Sequence, residues 1–328
     1  MTKLLSGNDV MKILNIKDTI EILEKAFADL AGGRAVMPPR AYIAVPEHNG
    51  LVLYMPAYLK GLGALGTKVV TVYKDNVSKY NLPTICGTII LLDEKSGAPI
   101  AIMEGSFLTA MRTGAVSGLA TKLLSRKDAK IHALFGTGGM AKAHALAVDS
   151  IRNIDKLIIV SVDSDEKKNS FAKSIEKILK SEIIIAKSAE EAVQQADIVT
   201  LITTARKPVI DGGWIRPGTH INGAGSHEPS TREIDTSTVI RSKVVCDLLE
   251  ACKPEAGDFL IPIEENKWSW DKVHASLGEI VTGKKSGRES DDEITLFKSV
   301  GLAIQDVSVA LHVYNKSIET GLGQDFSF

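Results

Sequence analysis

The chain predicts an α/β protein in two parts, an α+β segment first and a doubly wound parallel sheet after it. Three observations predict this. From residue 131 onward, short apolar runs alternate with helical stretches, which is the rhythm of βαβ units. Before that point β-branched runs follow one another, cut by Gly, Pro and Asn, as in an antiparallel meander. The 328 residues also exceed the size at which a single core usually keeps growing, so two domains are expected.

The opening "MTKLLSGNDVMKILNI" lacks the continuous apolar region and small-residue cleavage site of a signal peptide. No stretch approaches the length of a membrane span, so a cytoplasmic protein with no membrane partner is expected. Residues 18 to 31 predict a helix, with Asp18 as N-cap, Glu21 three residues on, Ile20, Leu23, Phe27 and Leu30 on one face, and Gly32-Gly33 as the stop. "AYIAV", "GLVLYMPAYL", "LGTKVVTVY" and "TICGTIILLD" predict the strands of the meander, and "SFLTAMRTGAVSGLATKLLS" a helix rich in small residues. Then come strand "IHALF", a helix, strand "KLIIVSV", helix "EKKNSFAKSIEKILK", strand "EIIIA", helix "SAEEAVQQA", and strands "DIVTLIT" and "THINGAG". "LFKSVGLAIQDVSVALHVYNKSIETG" predicts a strand end and a long amphipathic helix.

The loop "GTGGMA", Gly136, Thr137, Gly138, Gly139, Met140 and Ala141, follows "IHALF" and opens a helix. Gly136, Gly138 and Ala141 fit the spacing of a dinucleotide cradle. The first glycine permits the tight turn, the second lets backbone N–H groups approach a pyrophosphate, and the small third residue lets helix and strand pack closely. The helix N-terminus supplies partial positive charge. Asp163, 22 residues beyond Ala141, is placed to hold a ribose hydroxyl. Ser164 follows it with no arginine there, which favours NAD. The nearby lysines of "DEKK" keep NADP possible.

Lys plus Arg (39) nearly cancels Asp plus Glu (40), and no basic run stands out, so no nucleic-acid partner is expected. Cys86, Cys246 and Cys252 are widely spaced and form no C-x-x-C. Neither a disulfide framework nor a metal site is expected.

An ordered set of short motifs resembles the ornithine cyclodeaminase/μ-crystallin family, which also contains archaeal alanine dehydrogenases and cyclic ketimine reductases. They are "MPPR" (37–40), "YMPAYL" (54–59), "GTKVV" (66–70), "LPT" (82–84), "MRTGAVSGLA" (111–120), "GTGGMA" (136–141), "THINGAGSHEP" (219–229), "REID" (232–235) and "GRESDDEITLFKSVGLAIQD" (287–306). The resemblance implies a substrate-binding and dimerisation domain over 1–115, completed by a C-terminal helix within 300–328, and a Rossmann domain over 116–299. It also implies a homodimer, and hydride transfer between NAD(P) and the C=N or C–N bond of a small α-imino or α-amino acid.

Such chemistry needs a cation for the carboxylate, a proton donor or acceptor near nitrogen, and a dry cleft. Arg40 and Arg112 are the carboxylate candidates, because a guanidinium grips two oxygens at once. Lys68 lies inside the apolar run "LGTKVVTVY", where an ammonium is costly unless used or paired. A lysine at a sheet edge that discourages aggregation is the alternative; the resemblance makes Lys68 the acid/base candidate. Met55 is read as a pocket wall. The resemblance further implies cofactor contacts from Thr84, Arg112, Thr113, Thr203, Thr204, Gly225, Val300 and Gly301, with Thr113 and Gly114 offering backbone N–H groups to a phosphate.

Two departures separate this chain from parts of the family. Members that cyclise ornithine or oxidise alanine carry an acid in a G-x-D-x-P pattern, where this chain reads Gly225-Ser226-His227-Glu228-Pro229. His227 therefore stands at the carboxylate position as a catalytic candidate; it can relay a proton but supplies no fixed negative charge. Glu228 could take over the acid's role. Leu53 stands where the archaeal alanine dehydrogenase pattern has an arginine. Both departures favour an imine reductase. Ornithine cyclodeaminase, and a binding protein without turnover, are the alternatives.

Overall fold

The computed structural model describes residues 1–327; the last position of the expected 300–328 return lies outside the described residues. In chain order the elements are β1 (Thr2–Leu5), α1 (Gly7–Ile13), α2 (Ile16–Ala31), β2 (Ala35–Val36), β3 (Ala41–Val45), β4 (Gly50–Leu59), β5 (Ala64–Tyr73), α3 (Asn76–Tyr80), β6 (Ile85–Leu92), β7 (Pro99–Glu104) and α4 (Ser106–Leu124). The alternating part follows with β8 (Ile131–Phe135), α5 (Ala141–Ile151), β9 (Lys156–Val160), α6 (Asp165–Glu176), β10 (Glu182–Ile185), α7 (Ala189–Gln195), β11 (Ile198–Leu201) and β12 (His220–Gly223). Then come α8 (Thr236–Arg241), β13 (Lys243–Cys246), α9 (Leu249–Glu255), α10 (Gly257–Glu264), β14 (Val273–Ser276), α11 (Leu277–Val281), β15 (Thr295–Lys298), α12 (Ala303–Thr320) and β16 (Gln324–Phe326). The chain divides into two compact units, one of Met1–Arg112 with the segment from Leu302 onward, the other of Thr113–Gly301.

The first unit is built on a sheet ordered β16-β1-β7-β6-β5-β4-β2, with β3 also paired to β4. From β3 to β7 the pairs are antiparallel, while β1 joins β7 in parallel. Side chains alternate between faces. Met55, Lys68, Ile89 and Met103 stand in one cross-strand row and are all buried. Helix α12 packs on β4, β5, β6 and α2. It is less amphipathic than its sequence pattern predicts: all eight residues from Ala303 to Ala310 are buried, Gln305 and Asp306 among them.

The second unit carries a parallel sheet ordered β10-β9-β8-β11-β12-β15-β13-β14. The order reverses between β8 and β11, and ligands bind outside the carboxyl ends of strands at such a switch point. Strands β11 and β12 are buried throughout; β11 is a mostly apolar run, while β12 buries His220 and Asn222, which are paired with Thr295, with each other and with Thr121.

Local boundaries shift. Helix α2 starts at Ile16 because Asn15, not Asp18, is the N-cap; Asn15 Oδ1 accepts from the Asp18 N–H at 3.0 Å and its Nδ2 donates to the Asp18 carboxylate at 2.8 Å. Helix α4, by contrast, starts at Ser106 as its sequence run predicts, so Thr113 and Gly114 lie well inside it, where N–H groups are already used by the helix. They are therefore not the phosphate donors expected. Strand β9 ends at Val160, which leaves Asp163 in the following loop.

Candidate active site

In the first unit a lysine in mid-strand meets a carboxylate from a helix. Lys68 is 2% exposed, and its Nζ lies 2.8 Å from Asp306 Oδ2. Arg112, at the end of the α4 segment in this unit, donates through Nε to Asp306 Oδ1 at 3.0 Å and through NH1 to Gln305 Oε1 at 2.6 Å. Asp306 thus spans an ammonium and a guanidinium, each charge compensating a burial that would otherwise be prohibitive. Gln305 Nε2 is buried with no hydrogen-bond partner, a donor left over beside two cations. Burial drives Lys68 down from 10.5 to about 8; Asp306 opposes the shift, while the charges of Arg112 and Arg40 add to it. Arg40, half-buried between β2 and β3, therefore belongs to the same electrostatic cluster. Met55 stands directly across the ladder from Lys68. One row along on that face are Leu53, Val70 and Gly87, an apolar floor. Thr84 is half-buried, its carbonyl accepting from the Tyr73 N–H at 2.9 Å.

In the second unit the loop after β8 has the features of a pyrophosphate cradle. Gly136 has φ +106°, and a Cβ there would stand 2.5 Å from the Ile202 carbonyl, so only glycine serves. A Cβ on Gly138 or Gly139 would meet no protein atom within 4 Å; the backbone there is open for a ligand. Helix α5 begins without a side-chain cap on its Met140 end, leaving donors for an anion, and Ala141 is fully buried. Gly114 has a packing role instead, since its Cβ would lie 2.4 Å from the Ala143 carbonyl carbon. The Thr137 hydroxyl donates to Asp163, whose carboxylate also accepts from Ser161 Oγ at 2.9 Å and from Lys167 Nζ at 2.8 Å. Lys167 first, then Thr137 and Ser161, hold the Asp163 carboxyl down to about 2. The donor set fits a dinucleotide: open glycine backbone for the pyrophosphate and an ionised carboxylate for ribose hydroxyls. Ser164 caps α6, accepting from the Lys167 N–H at 3.3 Å.

The remaining candidates follow the carboxyl ends of β11, β12 and β15. Thr203 donates from both N–H and Oγ1 to Glu233 Oε1 at 2.7 Å, while Thr204 is exposed. Gly225 donates to Glu233 Oε2 at 2.7 Å, and His227 and Glu228 are exposed two and three residues on. The N–H groups of Val300 and Gly301 both donate to Asp247 Oδ2 at 2.9 Å. Sequence reasoning did not single out Gln305, Asp306, Glu233 or Asp247. The three acids among them sit beside apolar neighbours, in "AIQDVSV", "REIDT" and "VVCDLL", the signal that drew attention to Lys68.

The model of the ornithine cyclodeaminase/mu-crystallin family matches residues 1–321. The chain belongs to that family. Within it, the chain is 38% identical over 325 residues to a Δ1-pyrroline-2-carboxylate reductase of Bacillus cereus, covering 99% of each protein. It superimposes with TM-score 0.95 and 46% identity on the Thermococcus litoralis Δ1-pyrroline-2-carboxylate reductase in complex with NADH and L-proline, over 99% of this chain and 100% of that one. An archaeal alanine dehydrogenase dimer with bound NAD gives TM-score 0.93 and 33% identity over 100% and 99% of the two chains. No helix among the described residues is long and apolar enough to cross a membrane.

Proposed function

We propose that this protein is an NAD(P)-dependent reductase of small cyclic α-imino acids, with NAD(H) the favoured cofactor. The observation that carries the reading is the Lys68 ammonium, buried against Asp306 and held near 8 beside two arginines. A group with that value gives up a proton and takes one back near neutral pH. The relatives named for Δ1-pyrroline-2-carboxylate reduction support the substrate class.

Arg112 and Arg40 bind the substrate carboxylate, with the spare Gln305 N–H group as a further donor. Asp306 holds Lys68 and Arg112 in fixed relation, so neither swings to the other's place. Lys68 donates its proton to the imine nitrogen as the C=N bond is reduced, then reloads from solvent. When bound, reduced nicotinamide supplies the hydride for the imine carbon. Gly136, Gly138, Gly139 and the start of α5 hold its pyrophosphate, and Asp163 its ribose hydroxyls. The Asp163 charge disfavours a 2′-phosphate.

Leu53 and Val70, in the row next to Lys68, offer no counter-charge to a second ammonium and suit ring methylenes. His227, in place of an acid, likewise supplies no fixed negative charge. The test is NADH mixed with Δ1-pyrroline-2-carboxylate, Δ1-piperideine-2-carboxylate, or pyruvate plus ammonia. Loss of the reduced-nicotinamide absorbance with a cyclic imine is expected; no loss with any of the three overturns the proposal.

The protein also acts as a homodimer in this reading. The sheet face opposite Lys68 presents Ile43 (53% exposed), Val52, Tyr54 (38% exposed) and Val69 in neighbouring positions. A contiguous apolar sheet face of this kind needs a cover, and the related alanine dehydrogenase is a dimer.

A further inference from the structure

Glu233 lies within "REID", a motif that the proposed mechanism leaves without a role. It is fully buried, and its two carboxylate oxygens hold two different loops. Oε1 accepts from the Thr203 N–H and hydroxyl, both at 2.7 Å, on the loop that follows β11. Oε2 accepts from the Gly225 N–H at 2.7 Å and the Ser226 N–H at 3.1 Å, on the loop that follows β12. Three of the four partners are backbone N–H groups, which only donate, and the Thr203 hydroxyl donates as well, so the arrangement suits an ionised carboxylate, against the upward push of burial and of Asp258.

The surroundings close the network. Asp258 Oδ1 accepts from the Glu233 and Ile234 N–H groups at 2.7 and 3.0 Å. Asp258 Oδ2 lies 2.6 Å from Lys298 Nζ, which itself donates to the Ser226 carbonyl at 2.6 Å. Asp258 and Lys298 are fully buried, so one cation compensates two interior acids. Gly225 is a glycine for a reason visible here: its Cβ would stand 2.4 Å from the Thr203 carbonyl and 2.5 Å from Glu233 Oε1. The same chain of contacts reaches the cradle, because a Cβ on Gly136 would press on the Ile202 carbonyl, one residue before Thr203.

We infer that Glu233 is a positioning residue: its carboxylate ties the loops after β11 and β12 together and so sets the shape of the nucleotide-facing edge and the place of His227. The inference rests on the proposed function for its consequence in cofactor binding, but not for the tie itself. Removing the charge leaves donors facing donors, and the loops separate although the strands beneath remain packed.

The test compares native protein with Glu233→Gln, an isosteric change, and with Val199→Ala, a core truncation in β11 that touches none of these bonds. NADH affinity is read by fluorescence titration, and amide hydrogen exchange is read on peptides covering 201–207 and 223–229. Glu233→Gln is expected to weaken NADH binding at least tenfold and to speed exchange in both peptides, with β8 unchanged. Val199→Ala is expected to stay within twofold of native affinity. Thr203→Val, which removes one of the four bonds, is the variant used if Glu233→Gln does not fold; a threefold loss is expected. Native affinity or native exchange in the Glu233 variant, or in its substitute, overturns the inference. So does an equal loss in Val199→Ala. Failure of the native protein to bind NADH would instead sink the proposed function, while the exchange measurement still decides the tie.

Discussion

Replacing Asp306 with asparagine changes one charge at the meeting point of Lys68, Arg112 and Gln305. The side chain keeps its volume, so the response reports electrostatics. At 2.8 Å and an effective dielectric near 20, the gross attraction between carboxylate and ammonium is roughly 6 kcal/mol. Part of that is retained, because the amide oxygen still accepts a hydrogen bond from the ammonium. A net loss of about 1.4 kcal/mol, one pKa unit, is a conservative floor. The direction follows from the folded environment: Asp306 raises Lys68 against burial, so its removal lets the ammonium lose its proton more readily. Imine reduction uses the protonated form. In native protein kcat/KM should therefore fall as pH rises through about 8, and in Asp306→Asn the same limb should fall at about 7 or below. The assay is NADH oxidation with Δ1-pyrroline-2-carboxylate across pH, run below the melting temperature of each protein. A limb that stays at 8, or moves upward, refutes the assigned role of Asp306.

The cradle predicts opposite outcomes for neighbouring glycines. Gly136→Ala places a side chain at φ +106° and against the Ile202 carbonyl, so thermal unfolding should show a loss of roughly 1–3 kcal/mol. Gly138→Ala meets no protein atom within 4 Å, so its melting should match native while NADH Kd rises about tenfold, or about 1.4 kcal/mol. Asp163→Asn should raise NADH Kd by a similar factor and shift the preference towards NADPH, measured by titration with both cofactors; an unchanged ratio would remove Asp163 from cofactor choice. Ile43→Glu, on the exposed apolar face, should turn dimers into monomers in sedimentation equilibrium, and a dimer that persists would point to another interface.

The sequence was most legible where chemistry is local. The glycine spacing after "IHALF" and the alternating runs beyond it translate directly into the turn at Gly136 and the parallel sheet. Lys68 was legible as a cost, since an ammonium within "LGTKVVTVY" has to be compensated if buried. Its partner was not, because Asp306 arrives from the far end of the chain and no periodicity encodes so distant a pairing. Glu233 and Lys298 escaped for the same reason: each satisfies loops or acids brought close only by the sheet order. At α2 two adjacent cap signals competed, and Asn15 prevailed over Asp18 because Asp18 can serve from the first turn as its partner. The helix over "SFLTAMRTGAVSGLATKLLS" was legible and already enclosed Thr113 and Gly114; the phosphate role that the resemblance implied for them conflicts with that helix.

The central claim is that the Lys68 ammonium delivers the proton to the imine. Its most direct measurement is kcat/KM for NADH-dependent reduction of Δ1-pyrroline-2-carboxylate from about pH 6 to about pH 10, in native protein and in Lys68→Met, with NADH binding measured alongside. Titration of the substrate itself is common to both proteins and cancels in the ratio. The account predicts a native-to-variant ratio of at least about a hundredfold at neutral pH, declining above about 8, with NADH affinity kept. A ratio that is flat across that range, or a Lys68→Met variant that turns over at the native rate, would contradict it.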